Sequence, residues 1–315
     1  MRNAFTFIEL VFVIVVIGIL AKFGTNILLT TYKTATASFV NNKILADTEL
    51  TLSQLSNRLQ YRIRSSVVAR NGAAGGFSGL ASAGGGETVL EWIGYDIDGW
   101  LGTAASTDPT WSGFIDVNNA GALGVARNYL ESPGTNTGNV NTTIQALSPG
   151  AAGTGISNSA IFFTGENSNT LTDYGWDENA ELFQSTTAAH RINSLGGGLV
   201  TQLADATLPL PLSTFAGTDI YENYKLAWTA YAVSLEDGDG DGVNDDLVLY
   251  YDYQPWEGEA YDDANSSSVL LLQNVDTFTF QAIGETIKIQ ICVSDNDALG
   301  AGDGGYAVCQ ETAIF

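Results

Sequence analysis

A chain of 315 residues with 45% hydrophobic content is long enough to bury a sizeable core and too apolar to be intrinsically disordered. Its formal charge of −23 is split unevenly: residues 1–70 carry eight basic against three acidic side chains, a net +5, and residues 71–315 carry four against 32, a net −28. An acidic field of that size repels phosphate backbones, so no nucleic acid contact by the C-terminal part is expected, and divalent cations are its natural counterions.

In chain order, the first feature is an almost unbroken apolar run from Phe5 to Phe23, long enough to cross most of a bilayer. It carries one carboxylate, Glu9. An ionised side chain in hydrocarbon costs several kcal/mol unless it finds a partner, so Glu9 is a functional candidate. A cleavable secretory signal fits poorly, because its leading region would hold only Arg2 and no Ala-x-Ala site ends the run. A simple membrane anchor leaves Glu9 unexplained. From Gly24 to Arg70 there is no proline, and Ile27, Leu28, Leu45, Leu52, Leu55, Leu59 and Ile63 recur at helical spacing among polar residues. One continuous helix over residues 5–70, roughly 100 Å long at 1.5 Å per residue, is therefore expected.

Residues 71–87, NGAAGGFSGLASAGGGE, have the glycine density of a linker. Beyond them, over residues 88–315, come short β-rich runs such as ETVLEWIGYDI, YKLAWTAYAVSL, DLVLYYDYQPW and ETIKIQICV between Gly, Asn and Asp, several of which alternate apolar with polar residues. They read as half-buried antiparallel strands. The expected fold class is thus α+β. Six tryptophans (Trp92, Trp100, Trp111, Trp176, Trp228 and Trp256) suit the core of such sheets better than a sugar groove.

Two places in the head carry chemistry. In EDGDGDGVNDD (236–246), Asp237, Asp239 and Asp241 alternate and Gly242 follows, as in the first half of a Ca²⁺ loop. Val243 would give a backbone carbonyl, and Asp245, Asp246 or Glu236 would close the shell. Val248 stands where an EF-hand needs its bidentate Glu, so this is not an EF-hand. The competing reading is a solvated acidic turn. SDNDALGAGDGG (294–305) is a weaker second candidate. Cys292 and Cys309, with no Cys-x-x-Cys or Cys/His cluster, lie in two runs that read as a final hairpin, which predicts a disulfide. The single histidine, His190, sits in a polar stretch without a partner motif. It is expected at the surface, and no enzymatic constellation stands out.

MRNA followed by FTFIELVFVIVVIGILA resembles the N-terminal cleavage and methylation motif of type IV prepilins and of the pseudopilins of type II secretion, usually Gly followed by Phe-Thr-Leu-Ile-Glu-Leu. The resemblance implies that residues 1–4 are a leader cut between Ala4 and Phe5 by a prepilin peptidase that also N-methylates Phe5. It further implies that Glu9 pairs with the new amine of a neighbouring subunit. Ala4 departs from the usual Gly. The segment 46–67 is similar to the second half of minor pseudopilin helices, and the C-terminal strands resemble a sheet of prepilin-like proteins of Campylobacterota.

The layout so implied is pilin-like. A membrane-spanning half-helix (5–29) and an amphipathic half (30–70) pack on a C-terminal antiparallel sheet domain with a large β-rich insertion. The implied role is a minor subunit that initiates or caps a secretion or pilus-like filament, the size of the chain favouring a tip position. Its partners would be other pilin or pseudopilin subunits, the peptidase and an inner-membrane assembly platform. Before assembly it would cross the inner membrane once, N-terminus in the cytoplasm and head in the periplasm, or stand in an extracellular filament. Calcium would serve as a structural ion. The alternative is a tip adhesin whose Gly/Asn/Thr-rich region between Leu101 and Pro149 presents a binding surface.

Overall fold

The computed structural model describes residues 6–72, 76–83, 86–102, 108–116, 129–148, 154–165, 169–176, 188–192, 199–202, 221–243, 245–295 and 306–315. It opens with one helix, α1 (Phe7–Gln60), roughly 80 Å long at 1.5 Å per residue. The two halves of α1 meet different surroundings. Every residue from Phe7 to Ala35 is exposed, and this part is long and apolar enough to span a membrane. From Ala37 onward a stripe of Ile44, Thr48, Thr51, Leu55 and Leu59 is buried at steps of three, four and seven residues, the period of one helical face.

The helix stops at Gln60, short of the Arg70 expected. No Pro or Gly forces the break; pairing with the rest of the fold does. Arg62 turns back so that Nη1 donates to the Leu59 carbonyl (2.8 Å) and Nη2 to the Glu285 carbonyl (2.9 Å). The Ile63 N–H donates to the Ile93 carbonyl and the Tyr95 N–H to the Tyr61 carbonyl, so residues 61–63 already run beside a strand. The branched side chains of Ile63, Val67 and Val68 suit that extended course.

Three short strands follow, β1 (Val68–Arg70), β2 (Phe77–Gly79) and β3 (Val89–Gly94). β2 pairs with β1, and Leu80 just after it enters the core, so part of the segment expected as a linker is an edge strand. An insertion then contains α2 (Ile97–Leu101), β4 (Tyr129–Glu131), α3 (Thr137–Leu147), β5 (Ala160–Phe163), β6 (His190–Arg191), β7 (Leu199–Gln202) and β8 (Tyr224–Ala227). The chain returns through β9 (Thr229–Glu236), β10 (Asp246–Tyr253) and β11 (Ser267–Leu272), and ends in β12 (Val275–Ile283), β13 (Thr286–Asp295) and β14 (Tyr306–Ile314).

A six-stranded antiparallel sheet in the order β11-β10-β9-β3-β1-β2 is the centre of the head. One face, with Leu90, Trp92, Val233, Leu247 and Leu249, packs with Leu52, Leu55 and Leu59 of α1 and with Ile287, Ile289, Ile291 and Val293 of the β12-β13-β14 sheet. The opposite face, with Val89, Ile93, Ala230, Ala232 and Tyr253, is covered by Phe162, Tyr174, Trp176 and Trp256. A third core forms where Val140 and Ile144 of α3 meet Ile161, Tyr224 and Leu226 of the β6-β5-β8 sheet. The layout is α+β, as expected, but not every strand is half-buried: β3 and β5 are buried along their whole length. Five of the tryptophans are core; Trp100, at 38% exposure, is not.

In the last hairpin the register places Cys292 opposite Cys309, with Cα atoms 4.0 Å apart, and the two are joined as a disulfide on the outer face of the sheet. The alternate residues Ile289, Ile291 and Val293 face the core. Closing this loop, with a sequence separation of 17, stabilises the folded chain by about 3 kcal/mol in the chain-entropy estimate. Replacing both cysteines by serine should lower unfolding stability by about that amount in urea titrations of the full chain in detergent. An unchanged midpoint would show that the hairpin is held by its strands alone.

Candidate functional site

Three groups of side chains have the chemistry to do more than pack. The first is at the start of α1. Ala4 and Phe5 lie outside the described residues. Glu9 is exposed, and its Oε2 accepts hydrogen bonds from the Thr6 backbone N–H (2.9 Å) and the Thr6 hydroxyl (2.9 Å). Within one chain, Glu9 thus satisfies an N–H that the first helical turn leaves unpaired, and its negative charge sits at the favourable end of the helix dipole.

The second group is the loop between β9 and β10. One oxygen from each of Asp237, Asp239 and Asp241 lies within 4.8 Å of the others, and all three residues are exposed. Asp237 accepts from the Gly240 N–H (2.8 Å) and, through its other oxygen, from the Gly242 N–H (3.0 Å). Asp239 accepts from the Asp241 N–H (3.1 Å) and Asp241 from the Val243 N–H (2.8 Å). These bonds curl the backbone around its own carboxylates. Gly242, at φ 91°, occupies the left-handed region that side chains avoid. An all-oxygen donor set of this kind suits a hard cation.

The other residues expected around such an ion are placed differently. Asp246, the first residue of β10, is only 1% exposed, and the Asp239 and Gly238 backbone N–H groups approach its carboxyl. A Cβ at Gly238 would stand 3.2 Å from its Oδ2, so glycine lets the loop close down on Asp246. Burial, and then the charge of Asp239, push the Asp246 carboxyl above its ordinary range. Asp245 is engaged through its backbone carbonyl, which accepts from the Val275 N–H (2.6 Å). Glu236 is held by the Tyr250 hydroxyl. The structure therefore gathers Asp237, Asp239 and Asp241, and the Asp245 and Asp246 carboxylates are not in that group. Residues 296–305 of the second acidic candidate lie outside the described residues.

The third group was not legible beforehand. Glu91 in β3 and Arg70 in β1 are 1% and 4% exposed, with Arg70 Nη1 3.6 Å from Glu91 Oε1, and the Tyr253 hydroxyl donates to Glu91 Oε2 (3.0 Å). The Arg70 guanidinium also lies 4.5 Å from the Phe77 ring centroid. Burial pushes the Glu91 carboxyl up to about 7, against the pull of Arg70. In the sequence Glu91 is one acid in a strand-like run, and no pattern marks it as buried.

His190 corrects an expectation. It is 3% exposed, not on the surface, because β6 pairs with β5 through Ile161 and sets the imidazole 5.0 Å from the Phe163 ring. Burial disfavours the charged form and lowers its pKa to about 4. With a folded value below the ordinary 6.5, its contribution to stability is intact above pH 6.5 and is lost as pH falls towards 4, by about 3 kcal/mol. Glu91 runs the other way: its folded value is raised, so its contribution is present below about 4.5 and lost as pH rises through 7. His190→Gln should therefore remove the acid-destabilising part only, making the variant lose about 3 kcal/mol less than the parent between pH 7 and pH 4 in chemical denaturation. Equal losses would mean that the imidazole is protonated inside the fold.

No protein-family model, curated protein or solved structure matches the chain.

Proposed function

We propose that the chain is a structural subunit of a membrane-rooted filament of the type II secretion or type IV pilus kind, a minor pseudopilin-like protein that initiates or caps it. The observation that carries this reading is α1. Its first half is apolar and uncovered, and its second half is built into the head. An apolar surface of that extent needs lipid or other copies of itself around it. Glu9 lies in that half, on the turn that becomes the N-terminus once a peptidase cuts between Ala4 and Phe5. A neighbour's methylated amine would then join Thr6 as a partner of the carboxylate. Contacts of one subunit to the next, repeated head to tail, give an open helical array and not a closed ring. Before assembly the head stands in the periplasm, the helix crosses the inner membrane, and the assembly platform receives it there.

Glu9→Val tests this. It should leave insertion intact, since a charge is removed from an apolar segment, and abolish incorporation into filaments in a host that cuts the chain before Phe5. Normal incorporation, or a mature chain that still carries Met1 by mass spectrometry, would overturn the reading.

Calcium at Asp237, Asp239 and Asp241 belongs to the same proposal as a structural ion. Three like charges crowded in five residues are costly without a cation or water to screen them. An ion bound only by the folded state adds about 2.7 kcal/mol at 100 times its dissociation constant. Chelation should lower the melting temperature of the full chain by several degrees, and Asp239→Ala with Asp241→Ala should remove that response. Identical melting curves in millimolar calcium and in chelator would leave the loop a solvated turn.

A further inference from the structure

Side chains along a strand alternate between faces, yet Asp252 and Tyr253, neighbours in β10, are both buried. The cause is a bulge. Tyr250 pairs with Ala232 and Tyr253 with Ala230, so β10 advances three residues where β9 advances two. Asp252 takes up the difference at φ 63°, in the left-handed region that residues other than glycine seldom occupy.

What the bulge turns inward is a carboxylate. Asp252 is 3% exposed; its N–H donates to the Thr229 hydroxyl (2.8 Å), and its Oδ2 accepts from the Ser148 hydroxyl (2.6 Å). Its Oδ1 makes no hydrogen bond. The ion pairs among the described residues are Arg64–Glu285, Arg70–Glu91 and Lys288–Glu311, so Asp252 has no counterpart to the guanidinium that meets Glu91. A carboxylate buried in this way is costly until a positive charge reaches it.

The surroundings add negative charge and oxygen donors. Ser148 is the C-cap of α3, so the helix end that carries unpaired carbonyls and the negative pole of the dipole abuts Asp252. Gln254 joins the other side: its side chain donates to the Trp228 carbonyl (2.9 Å) and its N–H to Oε2 of the half-buried Glu259 (2.9 Å). Burial above all, and then the charges of Glu257, Asp263 and Asp252, raise the Glu259 carboxyl above its ordinary range against the pull of the Gln254 N–H.

We propose that Asp252, with Glu259 and the carbonyl end of α3, holds a divalent cation at the junction of the insertion and the central sheet. An all-oxygen, irregular donor set with two carboxylates suits calcium better than magnesium. The ion gives the Asp252 Oδ1 its partner and ties α3 to β10. This site is separate from the Asp237–Asp241 loop and does not depend on the filament reading.

Terbium alone, a calcium-sized probe, tests the site in the full chain in detergent. Asp239→Ala with Asp241→Ala serves as the background, so that the β9–β10 loop does not contribute. Trp228 and Trp256, both buried beside this junction, should sensitise terbium emission, and calcium should displace it. Asp252→Asn, which keeps an acceptor for Ser148, should weaken terbium binding by roughly tenfold or more, and Glu259→Gln, the second variant should Asp252→Asn fail to fold, should weaken it as well. In chelator, Asp252→Asn should melt no lower than the background, since an uncompensated buried charge is removed. In millimolar calcium only the background should gain stability. No sensitised emission in the background, or emission that neither substitution changes, would overturn the site. A melting temperature of the background that is the same in calcium and in chelator would show that a proton, not a cation, neutralises Asp252, and would overturn it too.

Discussion

One helix has to satisfy two solvents, and the rest of the molecule is arranged around that demand. The polar stretch that separates the two halves of α1 is short, so the change from exposed apolar surface to buried seam occurs within a few turns. Leu52, Leu55 and Leu59 then supply the surface that the six-stranded and the C-terminal three-stranded sheets share. At roughly 25 cal/mol per Å², sheets that met without the helix between them would leave much of that apolar area wet. The helix is also fixed at its end: Arg62, 6% exposed, bonds the last turn of α1 and the Glu285 turn between β12 and β13. The direction in which the apolar half leaves the head is thus set by packing and not by a flexible joint.

Covering the second face of the central sheet has a different consequence. The insertion buries β3 on both sides, so any charge on that strand must be met inside the protein. Glu91 is met by Arg70 and Tyr253. Removing one partner of such a pair costs more than the pair itself contributes, because the other is left as an isolated buried charge. Arg70 also lies over Phe77 of the edge strand β2, so the ion pair and the attachment of that edge depend on one side chain.

The parts that were legible in the sequence are those with a period or a chemical signature. The apolar run, the strand alternation of IKIQICV and YAVCQ, the opposition of Cys292 to Cys309 and the grouping of Asp237, Asp239 and Asp241 all follow from local rules. The helix end was not legible, because Tyr61–Arg64 contains no breaker and its fate is decided by β3, thirty residues away in sequence. His190 was misplaced for a related reason: a lone histidine among polar residues looks solvated until β5 pairs with it. Asp245 and Asp246 illustrate a finer limit. Their spacing suits a ligand shell, yet neither carboxylate joins the group of Asp237, Asp239 and Asp241, and Asp246 is the first residue of a buried strand.

The acidic loop is tied to the head at three points. Asp246 holds it from below through β10, the Asp245 carbonyl receives the first N–H of β12, and Asp239 receives Gln273 from the β11–β12 turn. That turn also lines, with Lys43 and Asp47, a groove beside α1. Charge repulsion among Asp237, Asp239 and Asp241 therefore acts on a turn that packs against the helix as well as on the hairpin, and a divalent cation would neutralise two of the three charges.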